Sequence, residues 1–225
     1  MKKLPGAGTR VRCNMAADPM ASFPPLARPL AFVLALLPAA CVESGGTVDQ
    51  AAFLPAMRWD HRPEAAEWTA ATLEALRAEG AVLASTVPAD IETFCPNYVE
   101  ATMPERRAFW AGLFSALAKH ESTWNPKAKG GGGQWIGLMQ IAPQTARAYD
   151  CDAADTAGLT DGGANLACAV KIAARQVGRD GAIVSDGTGG WRGVARDWAP
   201  MRSAAKRADM AQWTSQQSYC GNTDA

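Results

Sequence analysis

Apolar side chains recur at helical spacing along much of the chain, and the clearest stripe lies near its middle. Phe109, Leu113 and Leu117 stand four residues apart, with further apolar residues beside them. Residues at this spacing share one face of an α-helix. Because this apolar face is unusually broad, the pattern predicts a central, mostly buried helix over residues 104–120.

Weaker periodic patterns predict further helices on both sides of this segment. These helices are expected over residues 63–77, 143–149, 163–177 and 191–213. In the first of them, Pro63 occupies the first turn and Glu64 lies near the positive end of the helix dipole. Alternating β-branched residues, which predict strands, are scarce. The expected fold is therefore mainly α, with short helices around one core and few or no strands.

Residues 1–40 have the pattern of a signal peptide. An apolar run over residues 30–37 follows Arg28 and precedes two alanines. The run is too short to span a bilayer, which needs about 20 apolar residues, but it suits the apolar part of a signal peptide. The long basic stretch before it suggests that translation begins at Met15 or Met20. A buried core helix is the alternative, and the prolines of this segment disfavour it.

Cys41 comes directly after the small pair Ala39-Ala40. This resembles the lipobox of bacterial lipoproteins, in which the cysteine becomes the lipid-bearing first residue. The lipobox has an aliphatic residue three positions before its cysteine, where this chain has Pro38, so plain export with cleavage after Ala40 stays the alternative. The resemblance implies a membrane anchor made of acyl chains on Cys41. Either route predicts an exported, periplasmic protein.

Cysteine usage also favours export. Beyond Cys13 and Cys41, four cysteines remain, an even number that suits an oxidising compartment. Three pairings are open to them, and none of the spacings is that of a C-x2-C zinc site. The favoured pairing is the local disulfide between Cys151 and Cys168 together with one between Cys95 and Cys220. Four free buried thiols are the alternative.

The rest of the chain is expected to form a tether, an extension and a main domain. Residues 41–62 show no strong pattern and predict a surface tether, residues 63–87 a helical extension, and residues 88–220 the main domain. The 22 basic and 22 acidic residues give no net charge, which excludes a strongly basic nucleic-acid binder. We expect a monomer without a nucleic-acid partner.

Two familiar catalytic motifs are excluded. His120-Glu121 begins like the zinc-protease motif H-E-x-x-H, but Trp124 holds the position of the second histidine, and His61 is the only other histidine. The glycine run at 130–133 is not followed by the Lys-Ser/Thr pair of a phosphate-binding loop, so a mobile loop is expected there. No metal or other cofactor is expected.

Glu121 is the remaining candidate for chemistry. It lies at the C-terminal end of the most apolar predicted helix, where burial and the helix dipole both disfavour its charged form. Both effects raise the pKa of the carboxyl and let it donate a proton near neutral pH. The alternative is an ordinary helix-end glutamate that reaches solvent.

Two linked motifs give this region a family resemblance. Glu121-Ser122 precedes Trp124-Asn125-Pro126, and these are followed in order by Gly137-Leu-Met-Gln-Ile141, Pro143, Thr145-Ala146 and Asn165. The succession resembles the lytic transglycosylase SLT domain of the lysozyme superfamily over about residues 105–178. The resemblance implies a lysozyme-like fold and an enzyme that cleaves peptidoglycan glycan strands.

The same resemblance implies a mechanism with a single glutamate. Glu121 would protonate the glycosidic oxygen between N-acetylmuramic acid and N-acetylglucosamine, and would then act as base toward the 6-hydroxyl of the same sugar. The product would carry a 1,6-anhydro end, and the acetamido group of the substrate would replace the second carboxylate of most glycosidases. A hydrolytic muramidase on the same fold and a non-catalytic wall-binding lipoprotein are the alternatives.

Five neighbouring residues are candidates for binding roles, four of them by this resemblance and Trp135 because it lies beside the glycine run and could stack on a sugar face. Ser122 would steady Glu121 or the acetamido group. The other four, which would contact or lie against the sugars, are Met139, Gln140, Trp135 and Asn165. Each has a structural alternative: a local cap for Ser122, core packing for Met139, core or lid packing for Trp135, a polar strut for Gln140 and a helix cap for Asn165.

The chain departs from the family in one segment. The family carries a run similar to Ala-Tyr-Asn-Ala-Gly after the later helix, and its Tyr and Asn help to hold substrate. Residues 189–200 occupy this region without such a run. Trp191 or Trp198 is expected to do analogous work.

Overall fold

The computed structural model describes residues 54–221. The expected signal peptide, the lipidation at Cys41 and most of the tether lie outside the described residues and stay predictions. None of the helices between residues 54 and 221 combines the length and the apolar character that a bilayer crossing requires.

The described residues fold mainly into helices, which confirms the expected fold class. In chain order the α-helices of this part are α1 (Ala65–Arg77), α2 (Ala81–Ser85), α3 (Met103–Ser122), α4 (Pro143–Ala148), α5 (Gly162–Asp180) and α6 (Ala204–Ser215). Between α3 and α4, two short strands pair antiparallel, β1 (Lys129–Gly130) with β2 (Trp135–Ile136). One continuous hydrophobic core unites the helices.

The central helix α3 is the one that the strongest apolar stripe predicts. It begins at a capping box, in which Glu105 Oε2 accepts a 2.7 Å hydrogen bond from the backbone N–H of Thr102. Every residue over 108–118 is buried, because α1, α2 and α6 all pack against α3. The helix ends at Ser122, where Thr123 turns the chain with a φ of 54°. Glu121 is therefore held in the last turn of the most buried helix.

The first described residues differ from the expected surface tether. Met57 and Trp59 are 4% and 0% exposed, so residues 54–62 contribute to the core. The indole N–H of Trp59 donates a 2.9 Å hydrogen bond to Thr69 Oγ1 on α1, and the backbone N–H of Arg58 donates to Ser115 Oγ on α3. The tether interpretation is wrong for this part because two separate helices supply partners that bury it.

The extension expected over residues 63–87 is not a separate layer. Its helices α1 and α2 pack against α3 and α5, and α1 buries Trp68 and Leu76 in the common core. The last expected helix, over residues 191–213, is also corrected. It is divided into two 3-10 turns, Gly193–Arg196 and Ala199–Arg202, and the α-helix α6. Pro200 lacks the N–H that a continuous helix would need at this point.

Both expected disulfides are present. Cys95 pairs with Cys220, and Cys151 pairs with Cys168. The first bond joins the segment before α3 to the segment after α6, and the second joins the loop after α4 to α5. The favoured pairing of the four cysteines is thus confirmed.

Candidate active site

The side chain of Glu121 lines a cavity of about 260 Å³. The cavity lies where the C-terminal end of α3 meets β2, the loop over residues 137–141 and the segment between the two 3-10 turns. The residues that line it are Glu121, Trp135, Gln140, Asp197, Trp198 and Ala199. Of the residues expected at the site, Glu121, Trp135 and Gln140 are brought together here.

The environment of Glu121 favours the protonated form of its carboxyl group. Burial raises its pKa from 4.5 to about 7, and the positive charge of Lys206 on α6 offsets this only in part. Within residues 54–221 no side chain donates a hydrogen bond that would stabilise the charged form. A carboxyl of this kind can donate a proton near neutral pH.

The glycine run at 130–133 shapes the wall that carries Trp135. Gly131 has a φ of 54°, and the ring of Trp135 lies so close to it that a Cβ at Gly131 would clash with the indole. Trp135 is 47% exposed, so much of its ring is available to a ligand in the cavity. The expected position of Trp135 beside the site agrees with the structure.

Gln140 is both a strut and a lining residue. Its backbone has a φ of 48°, and its Nε2 donates hydrogen bonds to the carbonyl oxygens of Gly137 at 2.9 Å and Ala128 at 3.3 Å. These bonds fix the side chain against the strand pair while it faces the cavity. The donors of its amide are therefore committed to the protein.

Met139 and Asn165 do not reach the cavity, although sugar contacts were expected of both. Each is 0% exposed. The Oδ1 of Asn165 accepts a 2.8 Å hydrogen bond from the backbone N–H of Met139, and its Nδ2 donates to the carbonyl oxygens of Ile136 and Leu159, both at 3.0 Å. Asn165 is therefore a buried strut beneath the loop over residues 137–141, and Met139 is core. The cap of α5 is Asp161, whose carboxylate accepts from the N–H of Ala164.

The side chain of Ser122 also makes a local hydrogen bond within its own helix. Its hydroxyl donates a 3.2 Å hydrogen bond to the carbonyl oxygen of Ala118, one turn earlier in α3. This bond satisfies a carbonyl near the helix end and does not involve Glu121. The expected steadying of Glu121 by Ser122 is not found.

Asp197 and Trp198 also line the cavity, and the sequence pattern predicts a role only for Trp198. Trp198 is only 4% exposed, and its indole N–H donates a 3.0 Å hydrogen bond to the carbonyl oxygen of Met139. Asp197 Oδ2 accepts a 2.6 Å hydrogen bond from Gln176 Nε2 on α5. Trp198 was one of two candidates in this region. The other, Trp191, is 44% exposed and does not line the cavity.

An ion-pair cluster anchors the end of α3 beside Glu121. The carboxylate of Asp209 on α6 accepts hydrogen bonds from both terminal nitrogens of Arg58, at 2.7 and 2.8 Å, and also from Lys119. The ring of His120 lies 2.7 Å from the same carboxylate. These bonds, led by those from Arg58, hold the pKa of Asp209 well below its usual range, and burial lowers the pKa of His120. The cluster therefore fixes α3 to α6 next to the candidate acid.

Comparison with known families agrees with this arrangement. Residues 100–182 match the family model of the transglycosylase SLT domain. Residues 100–182 of this chain are thus similar to an SLT domain. The match begins just before α3 and extends just past α5, so it includes Glu121 and the loop over residues 137–141.

Solved structures of Bd0314 DslA are similar to this chain. A glutamate-to-glutamine mutant of it is 29% identical, with a TM-score of 0.66, over 72% of this chain and 95% of that chain. The wild-type form 2 is 28% identical, with a TM-score of 0.68, over 74% and 98% of the two chains. A second such mutant is 27% identical, with a TM-score of 0.67, over 75% and 99%. No curated protein sequence matches the chain.

Proposed function

We propose that this protein is a lytic transglycosylase that cleaves the β-1,4 bond between N-acetylmuramic acid and N-acetylglucosamine in peptidoglycan, with Glu121 as acid and then base. The SLT family acts on peptidoglycan strands, and the match over residues 100–182 supports that substrate. The observation that carries the proposal is the position of Glu121, half-buried in the cavity with a pKa of about 7.

The proposed reaction needs one proton and no water. Glu121 gives its proton to the bridging oxygen as the bond from that oxygen to the anomeric carbon breaks, and the electron pair of the bond leaves with the oxygen. The positive charge left on the muramic acid ring is then quenched by its own 6-hydroxyl oxygen. The ionised Glu121 takes the hydroxyl proton as this bond forms, which restores the acid and gives a 1,6-anhydro end.

The walls of the cavity suit a sugar ligand. Trp135 offers an exposed aromatic face beside Glu121, and such faces pack well against the apolar side of a sugar ring. Trp198 and Gln140, which line the same cavity, are held by hydrogen bonds to the backbone, so their positions are fixed before substrate enters.

Export to the periplasm belongs to the same proposal. Two disulfides are typical of a protein that folds in an oxidising compartment, and peptidoglycan lies there. Lipidation of Cys41 stays a prediction because that residue lies outside the described part.

A hydrolytic muramidase is the second candidate, because Asp197 brings another carboxyl group into the cavity with Glu121. Most glycosidases that use water have two carboxyl groups at the bond they cleave. The ends of the product separate the two activities, since hydrolysis leaves reducing ends and the transglycosylase leaves anhydro ends.

The test is mass spectrometry of the fragments that the full-length protein releases from purified murein. The variants are Glu121→Gln and a matched control, Glu92→Gln, which alters an exposed glutamate in another part of the fold. The wild type and the control are expected to release fragments with 1,6-anhydro ends, and E121Q is expected to be at least 100-fold slower. Equal release by E121Q would contradict the role of Glu121, and reducing ends would favour the muramidase.

A further inference from the structure

We propose that Asp197 is a second catalytic residue of this site, a carboxylate that faces the positive charge on the muramic acid ring while Glu121 donates its proton. This inference rests on the proposed function. It replaces the single-carboxylate plan that the family resemblance implies with a site in which two carboxyl groups have different charges.

The first support is position. Asp197 and Glu121 line the same cavity of about 260 Å³, although they come from elements far apart in the sequence. Asp197 follows the 3-10 turn over residues 193–196 and precedes Trp198, whose indole is bonded to Met139. The backbone that carries Asp197 is thereby tied to the loop over residues 137–141, and a sugar bound in this cavity would lie beside both carboxyl groups.

The second support is the way in which Asp197 is held. Its Oδ2 accepts a 2.6 Å hydrogen bond from Nε2 of Gln176, a residue on α5 that is 6% exposed. The same Nε2 lies 2.7 Å from the hydroxyl oxygen of Tyr149, and Gln176 Oε1 accepts a hydrogen bond from Arg179. The described residues place no hydrogen bond on the second oxygen of Asp197. One oxygen is thus fixed by the protein and the other is left for a ligand.

The third support is the contrast between the two carboxyl groups. Burial raises the pKa of both, but within residues 54–221 no side chain donates a hydrogen bond to Glu121, whereas Asp197 accepts one from Gln176. Three arginines, Arg179, Arg196 and Arg202, also favour the charged form of Asp197. Tyr149 is neutral, since burial and Asp197 raise its pKa above the ordinary tyrosine value. The net shift of the Asp197 pKa is still upward, but its charged form receives a hydrogen bond and the field of three arginines, whereas only Lys206 favours the charged form of Glu121. Such a difference in environment is how paired carboxyl groups divide their roles in glycoside cleavage.

Asp197 forms no covalent bond in the proposed step. When the bond to the bridging oxygen breaks, positive charge spreads over the anomeric carbon and ring oxygen. A fixed negative charge beside these atoms stabilises that state more than it stabilises the neutral substrate. The charge disappears when the 6-hydroxyl oxygen attacks, and Asp197 leaves the reaction unchanged.

The test is steady-state cleavage of soluble glycan oligomers of alternating N-acetylglucosamine and N-acetylmuramic acid by the full-length protein. Asp197→Asn keeps the shape of the side chain and an oxygen for Gln176 but removes the charge. Asp152→Asn is the matched control, since Asp152 is exposed and lies outside this cavity. D197N is expected to lower kcat by at least about 100-fold with little change in KM, and D152N to stay within twofold of wild type.

A pH profile separates this catalytic role from a merely structural one. The wild-type rate is expected to fall on the acid side as Asp197 is protonated, and on the alkaline side near pH 7 as Glu121 is ionised. D197N is expected to lose the acid-side fall and keep the alkaline one. If D197N does not fold, Asp197→Ala with added formate is the second test, and partial recovery of kcat with formate concentration is expected.

Three results would overturn the inference. These are a folded D197N with a kcat within threefold of wild type, a D197N pH profile that keeps the acid-side fall, and a folded D197A that formate does not rescue.

Other outcomes separate this inference from the proposed function. If wild type gives reducing ends that D197N abolishes, Asp197 activates water and the transglycosylase proposal also fails. If wild type cleaves nothing, the proposed function fails first, whereas an active wild type, an inactive E121Q and a fully active D197N would refute only the role of Asp197.

Discussion

The indole N–H of Trp198 donates a 3.0 Å hydrogen bond to the carbonyl oxygen of Met139. The backbone N–H of Met139 in turn donates to Asn165, so the loop over residues 137–141 is held from two sides. This relationship joins the segment that carries Asp197 to the loop that carries Gln140. Through these bonds the buried Trp198 and Asn165 hold in place the backbone on which Asp197 and Gln140 line the cavity.

Removal of the indole N–H of Trp198 is expected to weaken the contact between its segment and the loop over residues 137–141. Trp198→Phe keeps most of the apolar volume but leaves the carbonyl of Met139 without its partner, and the free energy of unfolding should fall by about 1–3 kcal/mol. Trp191→Phe is the matched control, because Trp191 is 44% exposed and is expected to tolerate the change. Urea denaturation measures both variants, and equal stability of W198F and W191F would contradict a structural role for the bond.

The charge of Glu121 should be visible in stability as well as in activity. Because folding raises the pKa of Glu121 from 4.5 to about 7, its contribution to the free energy of unfolding is greatest below pH 4.5 and is lost progressively as the pH rises to about 7. Glu121→Gln cannot ionise, so E121Q should gain stability relative to wild type over this range, by up to about 3 kcal/mol at pH 8.

The measurement is urea denaturation of wild type, E121Q and the control E92Q at pH 5 and pH 8. The difference between E121Q and wild type should grow with pH, and that between E92Q and wild type should not. A pH-independent difference for E121Q would show that the carboxyl is solvated like any surface glutamate.

Asp209 is expected to stabilise the folded protein with a pH dependence opposite to that of Glu121. Its pKa is lowered in the folded protein, first by Arg58 and also by His120 and Lys119, so the stability it contributes is present above pH 3.8 and is lost as the pH falls through its lowered value. Asp209→Asn should lower the melting temperature at pH 7 and remove part of the acid sensitivity of the protein. Since Glu121 follows His120 directly, D209N should also lower the cleavage rate.

Thermal melts between pH 2 and pH 7 check this expectation, with D152N as the control. A melting temperature of D209N equal to that of wild type throughout this range would mean that the cluster contributes nothing measurable, as happens for many exposed ion pairs.

The two disulfides are expected to differ in what they stabilise. Cys95–Cys220 closes a sequence separation of 125 residues and Cys151–Cys168 one of 17. In the chain-entropy model the longer loop stabilises the fold by about 2 kcal/mol more. Urea denaturation of the double variants C95S/C220S and C151S/C168S tests this order, and a larger loss for the second pair would contradict it.

The sequence predicts the parts of the site that depend on neighbouring residues. The apolar stripe of α3 predicts Glu121 at a buried helix end, and the glycine run marks the loop beside Trp135. The burial of Met57 and Trp59 has no such pattern, because it depends on Thr69 and Ser115 far along the chain.

The position of Asp197 at the site likewise depends on distant contacts and cannot be predicted from its neighbours in the sequence. Val194, Trp198 and Met201 recur at intervals of three and four residues, which imitates a helix, whereas Trp198 and Ser203 in fact adopt extended backbone around a 3-10 turn. The pattern therefore gives no sign that Asp197 meets Glu121. Only the packing of that segment against α5 and the loop over residues 137–141 brings the two carboxyl groups into one cavity.

The most direct test of the central claim is an NMR titration of the Glu121 carboxyl carbon in the full-length protein, with E121Q used to assign the signal. A proton-donating Glu121 is expected to titrate with a pKa of about 7. A pKa near 4.5, the ordinary value of a glutamate, would contradict the claim that this residue carries its proton to the glycan.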